Sequence, residues 1–501
     1  MALKHNVIAN YIGQFYLLII AIVMVPFYLE YLGDEAYGLV GFFALIQGWM
    51  LLLDMGLSPT ISREVSKVRG SNKKEDIQEF KYLFHSIEFI FIFISLSISF
   101  FIIFFSDWIS QSWLNVETLD LNSVSYSISL IGIMVGLRFF ATLYKSGIVA
   151  SEEQVWYNKA AVILSTLKFV GVLFILKFVS SDFKAFFEYQ LLIFILEFFV
   201  FSFKFYSIMD IGRFQLYFSM NAIKPVLGYA MSVAYTGAVW IFISQLDKVL
   251  LSGILPLKEY GYFALLGMIA NAIIQISAPI NRGILPRMTR LYAEGKKDEL
   301  FILYRKSTQW IAIIVFSVGG TVAIYSYELL YSWTANQEAA FWGKEILFWY
   351  VLGNTLLTLA SLQSYIQFAY GKLNLHVLYY TIVLFIFPPL VIAVAYTYEA
   401  LGLSILWFVF ILLSFFIWTP IIHHVFAKGM HKEWLLQDIS PIFSSTIIYF
   451  YILSLLDLHL SENRTILFLS LLFIGTILLF INFIVSKEGR IKVYSFFSSR
   501  F

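Results

Sequence analysis

The chain has 501 residues, 60% of them hydrophobic and 13% charged, and its mean hydropathy is +0.80. Globular domains sit near 45–50% apolar and about 25% charged. A cytosolic enzyme, a secreted disulfide scaffold and a disordered tail protein are therefore excluded, and an all-α integral membrane protein is left. The net charge of +2 carries no polyelectrolyte field for nucleic acid. With no cysteine there is no disulfide, thiolate nucleophile or cysteine metal site.

A membrane-crossing helix needs about 20 mostly apolar residues. In chain order, fourteen runs qualify: 7–29, 37–57, 83–105, 124–144, 160–179, 186–203, 230–254, 260–280, 308–330, 346–369, 377–396, 402–422, 441–457 and 465–485. A β-barrel would instead alternate polar and apolar residues in short segments. The first run is too long for a signal-peptide core and ends without a small-x-small cleavage site, so it reads as a retained span.

Polar residues recur at helical spacing along these spans. Span 2 carries Gln47, Asp54 and Ser58, and span 3 carries His85, Glu88 and Ser95. Span 4 aligns Ser127, Arg138, Thr142 and Lys145, while span 5 has Ser165 and Lys168. Gln190, Glu197 and Lys204 follow on span 6, then Thr236, Trp240, Ser244 and Asp247, beside Lys248, on span 7. Span 8 has Asn271 and Gln275, and span 10 has Asn354, Thr358, Ser361 and Tyr365. One such stripe needs only interhelical hydrogen bonding. Stripes on so many helices predict a shared hydrated cavity on spans 1, 2, 4 to 8 and 10, with the last two spans against lipid.

Ionisable groups inside a bilayer cost at least a few kcal/mol each, so they face a cavity or one another. Arg138 and Lys168 lie roughly 10–12 Å from their inner helix ends. They are candidate ligands for phosphate or carboxylate; the alternative is a salt bridge to Glu197 or Glu88. Asp247 and Lys248 are a substrate-binding candidate or a self-compensating pair. Asp54, Glu88 and Glu197 are candidate proton or sodium sites, with capping or pairing to Arg63 as the alternative for Asp54. Lys177 snorkels to the outer surface. His423, His424 and His431 have no metal-binding spacing, no GxxxxGK[ST] loop occurs, and no cofactor is expected. Pro388-Pro389 predicts a kink in span 11. Asn463-Arg464-Thr465 matches a glycan acceptor only as a short pattern.

Basic residues in the connections are split 26 to 4 in favour of one side, which predicts both termini in the cytoplasm. No connection is long enough to hold an active site of its own. Tyr37-Gly38 and Tyr260-Gly261 open spans 2 and 8, and at the same offset Lys73-Lys74-Glu75-Asp76 matches Lys296-Lys297-Asp298-Glu299. A duplication is expected, giving two pseudo-symmetric six-helix lobes, 1–222 and 223–424, around a central cavity. Spans 13 and 14 with a cytoplasmic tail occupy 425–501. Parallel repeats of this kind are a transporter plan.

Residues Tyr37 to Lys67 resemble the second span and following loop of bacterial O-antigen (Wzx-type) polysaccharide flippases, in the multidrug/oligosaccharidyl-lipid/polysaccharide exporter superfamily. Asp54 to Glu64 is similar to that family's D-x-G-x-x-x-x-x-x-R-E pattern. Asp247-Lys248, Tyr260 to Leu265, and Leu285-Pro286-Arg287 through Tyr292 resemble the start of its second lobe.

The resemblance implies transfer of an undecaprenyl-diphosphate-linked oligosaccharide from the cytoplasmic to the outer leaflet of the bacterial inner membrane by alternating access. It implies that the protein is not an enzyme and works among membrane lipids, with a polysaccharide polymerase and chain-length machinery as candidate partners. Arg138, Lys168, Asp247 and Lys248 would meet the diphosphate or an acidic sugar, and Glu88 or Glu197 would couple the cycle to an ion. Competing readings are an organic-cation antiporter of the same superfamily, which favours an acidic cavity, and a membrane polymerase, which needs a large catalytic outer loop.

Overall fold

The computed structural model describes residues 2–498 apart from Met55, Asn72, Lys73, Asp210, Arg213 and 457–459. Lys73 of the repeat tetrad thus lies outside the described residues, as do the side chains of Lys74, Asp76 and Thr236. Chain contacts divide the protein into two units, 1–261 and 262–501.

In the first unit, α1 (Ala2–Leu32) and α2 (Asp34–Leu53) are separated by Gly33 alone, at φ 79°. That conformation is open to glycine at no steric cost. Then come α3 (Leu57–Ser71), α4 (Lys74–Phe104), the short α5 (Ser106–Trp108) and a π-turn, Ile109–Trp113. α6 (Leu121–Ala150) starts where the Asp120 carboxylate accepts the Ser123 N–H at 2.9 Å. α7 (Gln154–Thr166) passes through a second π-turn, Leu167–Gly171, into α8 (Val172–Phe178). α9 (Phe183–Met209) and α10 (Met220–Ile254) follow, and α11 (Leu257–Ala293) begins in this unit.

α6 is the central helix of the unit: 67% of its apolar window is buried, against 28% for α4 and α9 beside it. Gly132 and Gly136 admit Ser99 of α4, and Gly147 admits the Phe205 ring of α9. Small residues let helices approach closely where lipid supplies no hydrophobic drive. The two Tyr-Gly motifs also meet. A Cβ on Gly261 would lie 3.0 Å from the Gly38 nitrogen, and one on Gly38 would overlap the Leu257 carbonyl.

The second unit contains α12 (Lys297–Ile324), α13 (Ser326–Thr334), α14 (Gln337–Tyr370), α15 (Asn374–Phe426) and α16 (Met430–Glu433). A π-turn, Trp434–Ile439, leads to α17 (Ser440–Leu455), α18 (Arg464–Val485) and α19 (Lys487–Ser498). α12 and α14 are its most enclosed spans. Asn354 of the span-10 stripe ties helices together: Nδ2 donates to the Ala270 carbonyl at 2.8 Å, and Oδ1 accepts from Trp407 Nε1 at 2.9 Å.

A polar network joins α12 to the last helices. Arg305 is held by Asp438 and Glu433, each at 2.6 Å, and by Gln437 at 3.0 Å. Gln309 donates to Asp438 at 2.7 Å and accepts the Glu488 N–H at 2.9 Å. His423 meets Tyr304 and His431, both at 2.9 Å, so these histidines close a packing junction. Asn482 on α18 donates to Ser317 and Thr446, each at 3.0 Å.

Among the described residues twelve helices are long and apolar enough to cross a membrane, and the protein is a multi-pass membrane protein. All fourteen expected spans fall on helices. Spans 11 and 12 share α15, and α2 is not among the twelve. Within α15 the non-helical residue is Glu399, at φ 49° and ψ −141°, rather than Pro388-Pro389. The break falls where the chain turns from one span to the next. Asn463 serves as a helix cap, its side chain accepting the N–H groups of Thr465 and Ile466.

Candidate functional site

α6 positions Arg138 and Lys145 seven residues apart, on one face. The Lys145 ammonium donates to Glu197 of α9, and Lys168, inside the Leu167–Gly171 π-turn, reaches the other oxygen of the same carboxylate at 2.9 Å. Lys168 Nζ also lies 3.8 Å from the centre of the Phe194 ring, and Lys145 Nζ lies 4.9 Å from that of Phe201. Rings in these positions attract the cations electrostatically.

Arg138 behaves differently from the two lysines. One guanidinium N–H donates to Gln47 of α2, and among the described residues Arg138 makes no ion pair. Its side chain is exposed although it sits mid-span within electrostatic reach of Glu197 and Lys168. A guanidinium so placed keeps donors in a fork that matches carboxylate or phosphate. Three cations against one carboxylate leave an excess of two positive charges, which suits an anionic ligand.

The remaining expected residues lie elsewhere. Glu88 is fully buried and accepts from Tyr144 and Tyr206, both at 2.7 Å, and from His85 at 3.0 Å. This ties α4, α6 and α9 into a second cluster. Asp54 accepts the N–H of Ser58 at 3.2 Å at the α2–α3 junction, where Gly56 takes φ 71°. Those contacts explain the aspartate and the glycine of the D-x-G pattern by local geometry. Arg63 and Glu64, at the pattern's other end, line a cleft of about 530 Å³ with Lys67, Tyr82 and Tyr217. Lys248 lies 3.9 Å from Asp247 and donates to the Ser244 carbonyl of its own helix at 2.8 Å. Beyond the spans, hydrogen bonds from Arg290 and Lys296 hold the Glu294 carboxyl below its ordinary range.

A family model described as polysaccharide biosynthesis protein matches residues 3–292, more than half of the chain. The chain belongs to the polysaccharide biosynthesis protein family. No curated protein matches it in sequence. Among solved structures, a lipid II flippase MurJ in an inward closed conformation is 15% identical, with a TM-score of 0.71, over 96% of this chain and 98% of that one. An inward-facing multidrug resistance MATE transporter of the MOP superfamily is 13% identical, with a TM-score of 0.68, over 85% and 99%. The MATE multidrug transporter DinF-BH is 15% identical, with a TM-score of 0.57, over 85% and 95%. This member of the polysaccharide biosynthesis family thus has the MOP transporter fold, as the resemblance of Asp54–Glu64 and Tyr260–Leu265 implies.

Of the seven residues singled out in the sequence, Arg138, Lys168 and Glu197 come together in this family member. Lys145 stands in the span-4 stripe without being singled out there, and Gln47 stands only as part of the span-2 stripe. Helical spacing places residues on a face but does not say which faces meet.

Proposed function

We propose that the protein flips an undecaprenyl-diphosphate-linked oligosaccharide, an O-antigen or similar repeat unit, from the cytoplasmic to the outer leaflet of the bacterial inner membrane. The observation that carries this reading is the cation excess of Arg138, Lys145 and Lys168 over Glu197, with Arg138 free of any ion pair among the described residues. A diphosphate leaving water must exchange its hydration for fixed polar partners, or the crossing is prohibitively costly. Arg138 would take it bidentately, and the lysines would release Glu197 to share it, with Asp247 and Lys248 assisting. The polyprenyl tail stays in lipid.

Family membership and the fold shared with a lipid II flippase support this reading, and the basic inner connections support cytoplasmic termini. Alternating access of two lobes, 1–222 and 223–424, would carry the head group across. Glu88 is the stronger candidate for ion coupling, because its partners are hydroxyls and an imidazole, whereas Glu197 is already engaged by two ammonium groups. Asp54, used as a local cap, is the weaker one. The polymerase and chain-length machinery would act on the delivered product.

The fold is shared with multidrug transporters as well, so the test must separate the two substrates. The purified chain, reconstituted in vesicles with a labelled lipid-linked oligosaccharide, is expected to expose the label on the opposite face. No exposure with several matched glycans, together with gradient-driven efflux of an organic cation, would replace this reading with the antiporter.

A further inference from the structure

An α-helix returns each N–H to the carbonyl four residues back, whereas a π-turn reaches five back and disturbs the ladder. A carbonyl left unpaired away from water costs several kcal/mol. At Leu167–Gly171 three successive carbonyls accept hydrogen bonds from side chains of other helices. Tyr189 Oη donates to Leu167 O at 3.0 Å, Gln190 Nε2 donates to Lys168 O at 3.0 Å, and Tyr28 Oη donates to Phe169 O at 2.9 Å. Gly171 closes the turn where a Cβ would overlap the Tyr189 hydroxyl, so the glycine is what lets that hydroxyl approach.

Lys168 is also gripped at both ends by one helix face. Gln190 and Glu197 stand seven residues apart on α9; the first holds the lysine's carbonyl and the second its ammonium. We infer that the π-turn is the device that sets Lys168 in the anion site, and that Tyr28, Tyr189 and Gln190 are its positioning residues. The inference concerns how Lys168 is aimed, and its link to transport rests on the flippase reading above.

The first test needs no substrate. In the full-length protein, the thermal stabilities of Lys168→Met, Glu197→Gln and the double variant measure the coupling of the pair. Clear non-additivity is expected, and it should largely vanish in Gln190→Leu and weaken in Tyr189→Phe, which removes a single hydroxyl. Coupling that persists unchanged in both backgrounds overturns the inference, whether or not the protein flips lipid. Gly171→Ala should destabilise the protein, and much of that loss should be recovered in the Tyr189→Phe background; no recovery would also count against the turn geometry.

The second test reads flipping. Gln190→Leu should slow it roughly tenfold, the scale of one lost hydrogen bond, and should add little to Lys168→Met. Independent, multiplicative losses would overturn the positioning role, because residues acting through Lys168 have nothing left to aim once it is gone.

Discussion

In the first unit Lys145 and Lys168 share the single carboxylate of Glu197 with Arg138 in electrostatic reach of it, whereas in the second unit Arg305 alone is held by Asp438, Glu433 and Gln437. Both groups lie in apolar helices, yet their charge balance differs. Arg305 joins helices and its charge is answered by the protein. The Glu197 cluster leaves positive charge over, and Arg138 stays exposed. A buried charge that is fully partnered is read most simply as architecture, and an excess of one sign as a place for something else to bind.

That contrast can be broken by mutation. The largest effect is expected from Arg305→Ala, which takes the cation from Asp438 in a fully buried site and leaves it Gln309 as its hydrogen-bond donor; removing one partner of a buried pair costs about 3–5 kcal/mol. Thermal unfolding should show the loss, with flipping per folded molecule little changed. Next, Arg138→Ala should remove a charge-assisted contact of about 1.5–3 kcal/mol, seen as a fall in flipping of roughly ten- to a hundredfold at nearly unchanged melting temperature. If Arg305→Ala spared stability, or Arg138→Ala retained full activity, the division into architecture and site would fail. Asn482→Leu should loosen α18 from α12 and α17 by about 1 kcal/mol, visible as faster proteolysis of the last helices. Smallest is Asn463→Ala, which removes a helix cap and should cost about 1 kcal/mol or less, a shift in melting temperature with unaltered transport.

Much of this is legible in the sequence. Uninterrupted apolar runs allow one local structure in a bilayer, so the fourteen spans fall on helices. The D-x-G segment can be read as a family pattern. Its physical cause, Asp54 holding Ser58 and Gly56 at a positive φ, needs coordinates. The pairing of Lys145 with Glu197 is hidden because periodicity describes each helix alone. The π-turn is hidden more deeply, since Leu167–Gly171 reads as ordinary helix and its stabilising donors, Tyr28, Tyr189 and Gln190, lie on two other helices. His423 and His431 illustrate a third limit: spacing along the chain says nothing of the turn after α15, which folds His431 back onto His423.

Gly38 and Gly261, the glycines of the two Tyr-Gly motifs, come close enough that a Cβ on Gly261 would meet the Gly38 backbone. If the motifs descend from one segment, a half-length ancestor would have met its own copy at this glycine, as the two halves of a symmetric dimer do. Gene fusion would then have preserved the seam inside one chain. Drift at either glycine is constrained by the other, so the two positions should change together or not at all as the lineage diverges.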